Sequence, residues 1–549
     1  MSSKRQLVLG VFLGLALLFF LPTGWRALWS PDEGRYAEIP RAMVQSGDWV
    51  TPRIDGIKFF DKPPLAYWCE ALAIRVFGTS ERSLRLVPVG FGLLGVLAVF
   101  LAGRRLWGTR AGLFAAVILG TSPLYFAFSG LVSLDIVVSS LLAATLLACL
   151  AAMQSEGKQR DRFLMAFYAS AALATLAKGL IGIVLPGLVI VPWLLLTGRW
   201  REILRGKYRL VLGTLLFLAI ALPWHVLVQQ RNPEWAWYYF VHEHFLRFTT
   251  HVHKRSQPIW FYLPVLLVGL FPWITLLPGA ARRFVGEWRD VRVPPHLREA
   301  RLFLVLWALA ITGFFSISGS KLIPYVVPAL PAFAMLLGEE LSRREGLSRR
   351  VSWWTAALAA TFAAATALTP LFAKPGSSTA GALATLGPWL AILAASLTIV
   401  TLATFFARRH PLALAVATGG LLLALAGGAA RFDDVQSVKT LAAGLRPRLL
   451  ADDLVVAFDG YPRDLPFYVK RRVAIAGWVG DEIDYGSKQE DMTGWLYDFS
   501  QFRELWDGPR RVYAVLDNKS MPKLEQLTGA SPRIVSKGPR FLVAVNRPD

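Results

Sequence analysis

The sequence comprises 549 residues, of which 54% are hydrophobic, and it has a mean hydropathy of +0.45 and a formal net charge of +22. This composition is too apolar for a soluble enzyme with a charged surface and is typical of a membrane protein. The same charge suits a nucleic-acid-binding protein, but the basic residues cluster at the ends of apolar segments, which excludes nucleic acid as a partner.

Apolar segments long enough to cross a bilayer recur along the first 430 residues. A membrane-spanning helix needs roughly 17–25 mainly apolar residues. The sequence predicts thirteen spans, at residues 6–22, 86–103, 111–127, 131–153, 163–178, 179–196, 209–227, 259–278, 301–317, 322–342, 351–373, 386–407 and 411–430. No small-residue cleavage pattern follows the first span, so we interpret it as a retained helix and not as a signal peptide.

The connections on one side of the predicted membrane carry most of the positive charge. Together with Lys4 and Arg5 they hold 25 Lys or Arg residues against 7 Asp or Glu residues. These connections are residues 103–110, 156–162, 198–209, 281–301, 342–350 and 407–411. By the positive-inside rule they are cytoplasmic, which places the N-terminus inside and, with an odd number of spans, the C-terminus outside.

Three regions lie outside the membrane in this topology. A first outer loop covers residues 23–85 and a second covers residues 229–258, both within a transmembrane domain of residues 1–430. The tail, residues 431–549, contains short β-branched runs at 454–459, 471–478, 511–517 and 540–546, between polar stretches. This alternation predicts a soluble α/β domain. The tail has no nucleotide-binding glycine pattern, and we favour a supporting role for it over the binding of a substrate or partner.

The first outer loop predicts two helices. Ser30 precedes Pro31-Asp32-Glu33, so the serine is a candidate N-cap for a helix that begins near Asp32. A second helix is expected to begin at residues 62–64, because proline suits the first turn. Apolar residues at helical spacing predict that both helices lie on the membrane surface; they are Tyr36, Ile39, Met43, Leu65, Trp68 and Leu72. From spacing alone, capping is the favoured explanation of the two acids, and a lysine at the membrane interface is the favoured explanation of Lys62.

The same loop carries a distinctive set of motifs. Asp32-Glu33 is followed by Arg35-Tyr36, Gly47-Asp48-Trp49 and Lys62-Pro63-Pro64-Leu65. Later motifs are Asp135, Lys178-Gly179, His242-Glu243-His244, Arg247-Phe248, Gly319-Ser320-Lys321 and Tyr325. These motifs resemble the membrane-embedded lipid-phosphosugar glycosyltransferases of the GT-C class, and most closely the family that transfers 4-amino-4-deoxy-L-arabinose (aminoarabinose) to lipid A.

The resemblance implies a polytopic α-helical membrane protein of the GT-C type with a C-terminal soluble α/β domain. It further implies an undecaprenyl-phosphate-linked sugar donor, a lipid A acceptor, and direct displacement with inversion. The active site would face the periplasm from the inner membrane. We expect a monomer surrounded by the lipid bilayer, with no required cofactor.

The chemistry of such a donor explains the polar residues. Departure of a sugar from a polyprenyl phosphate builds negative charge on the phosphate oxygens, and cations held there stabilise the transition state. Lys62, Lys178 and Arg247 are the candidate cations, although a lysine at a helix end such as Lys178 also suits snorkelling to the interface. The family-matched residues that we predict to bind substrate are Glu33, Arg35, Tyr36, Lys178, His242, Arg247, Lys321 and Tyr325.

Asp32 and Asp135 are the candidate catalytic carboxylates, with Lys62 as the catalytic cation. For a hydroxyl acceptor, Asp32 would act as a general base. A lipid A phosphate barely needs deprotonation, so Asp32 would then position the acceptor or bind the amino group of the sugar. Asp135 begins an apolar helix, where an ionisable residue indicates function, while N-capping stays an alternative.

A metal site is a further possibility. The second outer loop holds four of the seven histidines, His242, His244, His251 and His253. Histidine pairs of this spacing can bind zinc, and Asp61 can supply an oxygen ligand. We therefore name Asp61 and His242 as candidate metal ligands, against the alternative that the histidines are hydrogen-bonded loop residues.

Other classes fit less well. The sequence has no GxSxG elbow and no Walker loop. Two cysteines far apart, Cys69 and Cys149, imply no disulfide framework. A lipid or sugar transporter is expected to show paired broken helices in two corresponding halves, and no such repeat is visible. Within the enzyme class, a polyprenyl-phosphate-hexose transferase acting on protein or another envelope glycan stays open.

Overall fold

In the computed structural model, the described residues are 3–246, 257–288, 290–344, 346–369, 378–478, 480–529 and 531–547, without the side chains of 3, 243–246, 378–385 and 481–482. The chain divides into two compact units. Unit 1 contains Met1–Thr23, Pro88–Leu227 and Ala236–Gly428, and unit 2 contains Gly24–Val87, Val228–Trp235 and Ala429–Asp549. The domains predicted from the sequence, 1–430 and 431–549, divide the chain differently, because the first outer loop groups with the tail.

Helices dominate the chain up to residue 429. They are α1 (Ser3–Phe20), α2 (Asp32–Ser46), α3 (Leu65–Phe77), α4 (Glu81–Trp107), α5 (Thr109–Gly120), α6 (Pro123–Ser129), α7 (Leu134–Met153), α8 (Gly157–Lys178), α9 (Ile181–Thr197), α10 (Arg201–Leu204), α11 (Leu210–Arg231), α12 (Tyr262–Gly269), α13 (Leu277–Trp288), α14 (Pro295–Ile317), α15 (Leu330–Ser342), α16 (Arg349–Leu368), α17 (Ser378–Phe406) and α18 (Pro411–Ala429). A π-helix covers Trp237–Leu246, and short 3-10 helices cover Leu21–Gly24, Trp273–Leu276 and Ile323–Ala329.

The tail continues with shorter elements. Its helices are α19 (Asp433–Gln436), α20 (Lys439–Leu445), α21 (Leu465–Val469), α22 (Asp481–Ser487), α23 (Phe499–Asp507) and α24 (Met521–Thr528). Further 3-10 turns lie at Ala430–Phe432, Arg446–Arg448 and Asn518–Ser520. The strands of the whole chain are β1 (Arg53–Ile54), β2 (Ile57–Lys58), β3 (Leu454–Phe458), β4 (Ala474–Ala476), β5 (Leu496–Tyr497), β6 (Val512–Asp517), β7 (Arg533–Lys537) and β8 (Phe541–Val545).

Among the described residues, fewer helices than the thirteen predicted spans are by themselves long and apolar enough to cross a membrane. The described residues contain eight helices of sufficient length and hydropathy, or ten if each of two bent pairs is one span. The span predicted at 111–127 is α5 and α6, bent by 67°, and the one at 259–278 is bent by 103°. Proline explains the first bend, since Pro123 begins a new helix instead of continuing the old one. The predicted break at residues 177–179 is confirmed, because α8 ends at Lys178 and α9 begins at Ile181.

Small residues allow close helix packing in unit 1. Gly338 on α15 lies so near α5 that an added Cβ would be 2.7 Å from the Cα atom of Ala115. Apolar helices in a bilayer gain little from burying apolar surface, so close approach of this kind supplies much of their association.

Unit 2 contains a six-stranded sheet with the order β5-β4-β3-β6-β8-β7. Strands β5, β4, β3 and β6 are parallel, and β8 and β7 run antiparallel to their neighbours. Every residue of β3 is buried, as expected for a parallel strand covered on both faces. The predicted α/β tail is confirmed, and its four predicted strands correspond to β3, β4, β6 and β8.

The tail holds the first outer loop through specific hydrogen bonds. The Asp433 carboxylate accepts from the backbone N–H of Ala27 at 2.7 Å and from the indole of Trp29 at 2.8 Å. The backbone N–H of Val473, next to β4, donates to the Asp55 carboxylate at 2.8 Å. Two elements separated by about 400 positions in the sequence therefore fold as one unit.

The two helices of the loop differ in exposure. On α2, Ile39 and Met43 are buried, so this face packs against protein, contrary to the expectation that it lies on the membrane surface. On α3, Leu72, Val76 and Phe77 are 54%, 71% and 64% exposed. An exposed apolar stripe suits an interfacial helix, so for α3 the membrane-surface location stays a prediction.

Candidate active site

Asp32 occupies the first position of α2, where the sequence predicts the helix to begin. Its carboxylate accepts a hydrogen bond from Arg35 Nη2 at 2.6 Å, and the Asp32 side chain is 72% exposed. The predicted N-cap is wrong: Pro31 is the capping residue, and no side chain caps the helix. The Ser30 hydroxyl instead accepts from the backbone N–H of Arg463 at 2.9 Å.

Glu33, the second acid of the pair, is buried in a network of cations. It forms ion pairs with Arg26 and with Arg85, whose Nη2 atom lies 3.1 Å from Oε1. The backbone N–H of Trp29 also donates to Glu33, at 3.1 Å. Arg85 in turn donates to the carbonyl oxygen of Ala27 at 2.8 Å. These contacts give Glu33 a structural role, and its predicted contact with substrate stays a prediction.

Aromatic rings connect α2 with α3 beside the acidic pair. The Arg35 guanidinium lies 4.7 Å from the centroid of the Tyr36 ring, and Tyr36 stacks on Tyr67 with centroids 6.2 Å apart. Glu70, one turn after Tyr67 on α3, is fully buried, and burial raises the pKa of its carboxyl well above the usual value. Neither Tyr67, which belongs to the family-matched motif, nor Glu70 was predicted as a site residue, although their spacing places both on the buried face of α3.

A second buried acidic pair lies deeper in unit 2. Arg41 binds the Glu38 carboxylate through two hydrogen bonds, of 2.5 and 2.6 Å. Asp55 lies nearby, and burial, followed by repulsion from Glu38, raises its pKa well above the usual value. Burial also raises the pKa of Glu38, although Arg41 opposes this shift. These groups link the loop to the tail and are structural by their contacts.

Lys62 and Asp61 lie between β2 and α3. The Asp61 side chain is buried, and the Lys62 ammonium is half-buried and donates to the Asp61 carbonyl oxygen at 2.8 Å. Pro63 and Pro64 follow at once, and α3 begins at Leu65, close to its predicted start. Two consecutive prolines restrict the backbone, and they thereby restrict where the Lys62 side chain can reach.

In unit 1, three of the predicted residues come together. The Lys178 ammonium at the end of α8 forms an ion pair with Asp135 at the start of α7. Both side chains keep about one sixth of their surface exposed, 17% and 15%. Lys178 also lies 5.7 Å from the centroid of the Tyr325 ring. The helix ends and the 3-10 turn at Ile323–Ala329 thus place a cation, a carboxylate and a phenol within one cluster.

The remaining predicted residues occupy separate places in unit 1. Lys321 is buried and donates to the Ser318 carbonyl oxygen at 2.7 Å. His242 lies in the π-helix and stacks on Tyr238 with ring centroids 4.8 Å apart. Arg247, His251 and His253 lie outside the described residues, and so does the side chain of His244.

The candidate metal ligands are Asp61 and His242. A protein zinc site uses three or four ligands. Among the described residues, no group of three or more His, Cys, Asp or Glu side chains is arranged to hold a metal ion. Asp61 and His242 therefore do not form a metal site with other described side chains, and no step of the chemistry is assigned to a metal.

The chemistry available to these residues is anion binding. Lys62, Lys178 and Arg35 are cations that can compensate charge on a phosphate. Asp32 and Asp135 are carboxylates able to bind an ammonium group or accept a proton.

Two family models match the chain. Residues 61–226 match the model described as dolichyl-phosphate-mannose-protein mannosyltransferase, and residues 441–546 match the aminoarabinose transferase C-terminal domain. The first match begins at Asp61-Lys62, and the second covers the sheet of unit 2.

Relatives agree with these models. The chain is 36% identical over 353 residues to an undecaprenyl phosphate-alpha-4-amino-4-deoxy-L-arabinose arabinosyl transferase of Pseudomonas aeruginosa, an alignment that covers 64% of this chain and 62% of the relative. A protein of the same name from Pectobacterium atrosepticum is 31% identical over 507 residues, covering 89% of this chain and 88% of the relative.

The fold agrees as well. The crystal structure of ArnT from Cupriavidus metallidurans bound to undecaprenyl phosphate matches with a TM-score of 0.88 and 30% identity, covering 100% of this chain and 99% of that chain. The predicted fold class, a polytopic helical membrane protein of the GT-C type with an α/β tail, is confirmed. As the motifs of the first outer loop predict, the chain belongs to the family of undecaprenyl phosphate-alpha-4-amino-4-deoxy-L-arabinose arabinosyl transferases.

Proposed function

We propose that this protein transfers 4-amino-4-deoxy-L-arabinose from undecaprenyl phosphate to a phosphate group of lipid A. The observation that carries the proposal is the whole-length likeness to ArnT from Cupriavidus metallidurans, whose structure was solved with undecaprenyl phosphate bound. The names of the Pseudomonas and Pectobacterium relatives specify the same carrier and sugar.

In the proposed reaction, an oxygen of the acceptor attacks the anomeric carbon while the bond to the carrier phosphate breaks. The leaving phosphate gains charge, and fixed cations that bind its oxygens lower the barrier. Lys62, Lys178 and Arg247 are the proposed cations. Lys62 is suited to this role because its ammonium is anchored by the Asp61 carbonyl oxygen and stays partly exposed.

Asp32 and Asp135 are the proposed catalytic carboxylates. Asp32 is exposed and held by a hydrogen bond from Arg35 to one of its oxygens, so its other oxygen is accessible to a ligand. With a phosphate acceptor, which is already anionic, Asp32 positions the acceptor or binds the amino group of the sugar. Asp135 orients Lys178 through their ion pair. Arg35, Tyr36, His242, Lys321 and Tyr325 are the proposed substrate-binding residues, and we give Glu33 a supporting role.

The location of the reaction is part of the proposal. The charge pattern supports a cytoplasmic N-terminus and a periplasmic tail in the bacterial inner membrane, and the protein is proposed to act as a monomer. Alkaline phosphatase fused to the tail is expected to be active, and an inactive fusion would indicate the opposite orientation.

We expect transfer without a resident metal. A loss of transfer caused by a chelator and restored by zinc would contradict this expectation.

Lipid A mass spectrometry tests the reaction directly. The protein is expressed in cells that make the aminoarabinose carrier lipid but have no transferase of their own. A pentosamine mass increment on lipid A supports donor and acceptor together. A hexose increment on protein or glycan would instead favour the function suggested by the mannosyltransferase model, which matches residues 61–226.

Site variants show whether the increment depends on the proposed residues. Asp32→Asn and Lys62→Ala are expected to lower the increment by about 100-fold or more at equal membrane protein levels. Loss of a group that positions a reactant and loss of a cation at the developing negative charge both have effects of this size. Asp507→Asn and Lys519→Ala are matched controls, because both side chains are exposed in the tail. Normal activity in both site variants would overturn the assignment of these residues.

A further inference from the structure

A groove lies between α1 and α4 in unit 1, at the end where α1 begins and α4 finishes. Its volume is about 400 Å³. The apolar part is lined by Val8, Leu9 and Phe12 of α1 and by Leu97 and Phe100 of α4. Phe12 and Phe100 meet edge to face with centroids 5.2 Å apart. At a rise of about 1.5 Å per residue, the lining of α1 from residue 4 to residue 12 extends for roughly 12 Å.

Three cations converge at one end of this groove. Lys4 and Arg5 come from the first turn of α1, and Arg104 comes from the last turn of α4. The side chains are exposed, and none of the three makes a hydrogen bond or ion pair with the described part of the chain. No acidic residue lines the groove. The groove therefore has an apolar lining and, at one end, an uncompensated charge of about +3, since Lys and Arg are ionised near neutral pH.

Some of the other basic residues near the same membrane face have protein partners. Arg105, next to Arg104, donates to the Ser155 hydroxyl at 2.8 Å. Arg301 is buried and pairs with Glu339 at 2.7 Å. Arg209 pairs with Asp161 at 3.0 Å. The positive-inside pattern alone accounts for the presence of basic residues, but not for three of them at the mouth of an apolar groove without counter-charges.

We propose that this groove binds one anionic phospholipid of the leaflet that the charge pattern predicts to be cytoplasmic. The headgroup phosphate would contact Lys4, Arg5 and Arg104, and one acyl chain would lie along the apolar lining. Charge complementarity favours this occupant, because basic pockets between transmembrane helices bind anionic headgroups. The apolar lining favours a lipid over a free phosphate, because an acyl chain can make van der Waals contacts along it and a free phosphate cannot.

Native mass spectrometry of the purified full-length protein measures this binding. Phosphatidylglycerol is titrated in parallel with phosphatidylcholine of the same acyl chains. A surface cation contributes about 1 kcal/mol to attraction of an anionic lipid, which corresponds to about fivefold in affinity. Arg104→Gln is therefore expected to weaken phosphatidylglycerol binding about fivefold, and the triple variant Lys4→Gln/Arg5→Gln/Arg104→Gln about 100-fold. Phosphatidylcholine binding is expected to change little.

Two further variants separate the groove from general surface charge. Arg201→Gln/Arg205→Gln/Lys207→Gln removes three exposed cations from another connection and is expected to leave phosphatidylglycerol binding unchanged. Leu97→Trp keeps the cations but fills the apolar part of the groove, and it is expected to reduce phosphatidylglycerol binding. Arg104→Gln leaves the charge before the first span intact, so its result is independent of any effect of Lys4 or Arg5 on insertion.

Four results would overturn the proposal. The first is equal affinity for phosphatidylglycerol and phosphatidylcholine. The second is an equal loss of phosphatidylglycerol affinity in the control triple variant, which would indicate attraction by the general surface charge. The third is displacement of the lipid by millimolar inorganic phosphate, which would indicate a site for the anion alone. The fourth is displacement by equimolar undecaprenyl phosphate, which would assign the groove to the carrier lipid.

Discussion

Two candidate acids, one in each unit, are paired in different ways. In unit 2, Glu33 is 4% exposed and is shared by Arg26, Arg85 and a backbone N–H. In unit 1, Asp135 and Lys178 form a one-to-one pair at two helix ends, each with about one sixth of its side chain exposed. Both acids are carboxylates paired with cations, but the number of partners and the access to solvent differ.

This difference separates structural charges from reactive ones. A carboxylate whose oxygens are occupied by several fixed donors cannot bind a substrate without losing those bonds, and removing it leaves buried cations without compensation. A partly exposed one-to-one pair can exchange a partner for a charged ligand at lower cost. We therefore expect the Asp135–Lys178 pair to matter for transfer, and Glu33 to matter for folding.

The largest expected effect is a loss of transfer activity in variants of the Asp135–Lys178 pair of unit 1. Lys178→Met and Asp135→Asn are each expected to lower the transfer rate by about 100- to 1,000-fold, as for loss of one transition-state contact. The double variant distinguishes the two roles. A purely structural pair is relieved when both charges are removed, whereas a catalytic pair is not. Restored transfer in the double variant, measured on purified protein with donor lipid, would contradict the catalytic role.

Glu33→Gln tests whether the buried ion network around Glu33 stabilises the fold. Loss of one partner from a buried ion network costs about 3 kcal/mol, so we expect a lower midpoint of thermal unfolding. The transfer rate per folded molecule should stay within a few-fold of the parent. Glu504→Gln changes an exposed carboxylate of the tail and serves as the control. An unchanged unfolding midpoint together with a loss of transfer would indicate that Glu33 takes part in the reaction.

Local patterns predicted much of the fold. Hydropathy predicted the apolar helices, because a membrane span needs a long apolar run. Runs of β-branched residues predicted β3, β4, β6 and β8. The bends were missed, because residues 111–127 read as one apolar run although Pro123 starts a second helix. The short β5 has two residues, too few for a periodicity.

Long-range contacts were beyond local patterns. The Ser30-Pro31-Asp32 sequence has the form of an N-cap, but the Ser30 hydroxyl is engaged by Arg463, 433 positions away. Likewise, the acidic pair reads as two equivalent residues, and only the positions of Arg26 and Arg85 show that Glu33 is buried while Asp32 is exposed. The candidate site was found through family motifs, since composition does not tell a reactive carboxylate from a structural one.

Gly34→Ala tests how tightly α2 is held within unit 2. A Cβ atom at Gly34 would lie 2.7 Å from the carbonyl carbon of Arg463 and 2.8 Å from the Cα atom of Asp464. Because backbone atoms cannot yield as a flexible side chain does, we expect a loss of about 1–3 kcal/mol in unfolding free energy. Gly444→Ala is the matched control, since nothing lies within 4 Å of its added Cβ and alanine favours a helix. Equal unfolding midpoints for the two variants would contradict the close packing.

The smallest expected effect depends on pH and concerns Asp464. Burial raises its pKa from 3.8 to about 6, although Ser437 and Val438 donate hydrogen bonds to its carboxylate at 2.7 and 2.8 Å. The folded protein thus keeps this proton up to about pH 6, while the unfolded chain releases it near 3.8. Stability consequently falls as pH rises through this window.

Asp464→Asn removes that penalty and keeps an acceptor for both hydrogen bonds. We expect the variant to gain on the order of 1–3 kcal/mol at pH 7.5 and almost nothing at pH 4. Asp453→Asn is the control of opposite sign. Burial opposes ionisation of Asp453, but hydrogen bonds from Arg511 outweigh it and lower the pKa, so this variant should lose stability at pH 7.5. Unfolding midpoints at both pH values decide the matter, and a gain for Asp464→Asn that is independent of pH would show that packing, and not the buried charge, limits this part of unit 2.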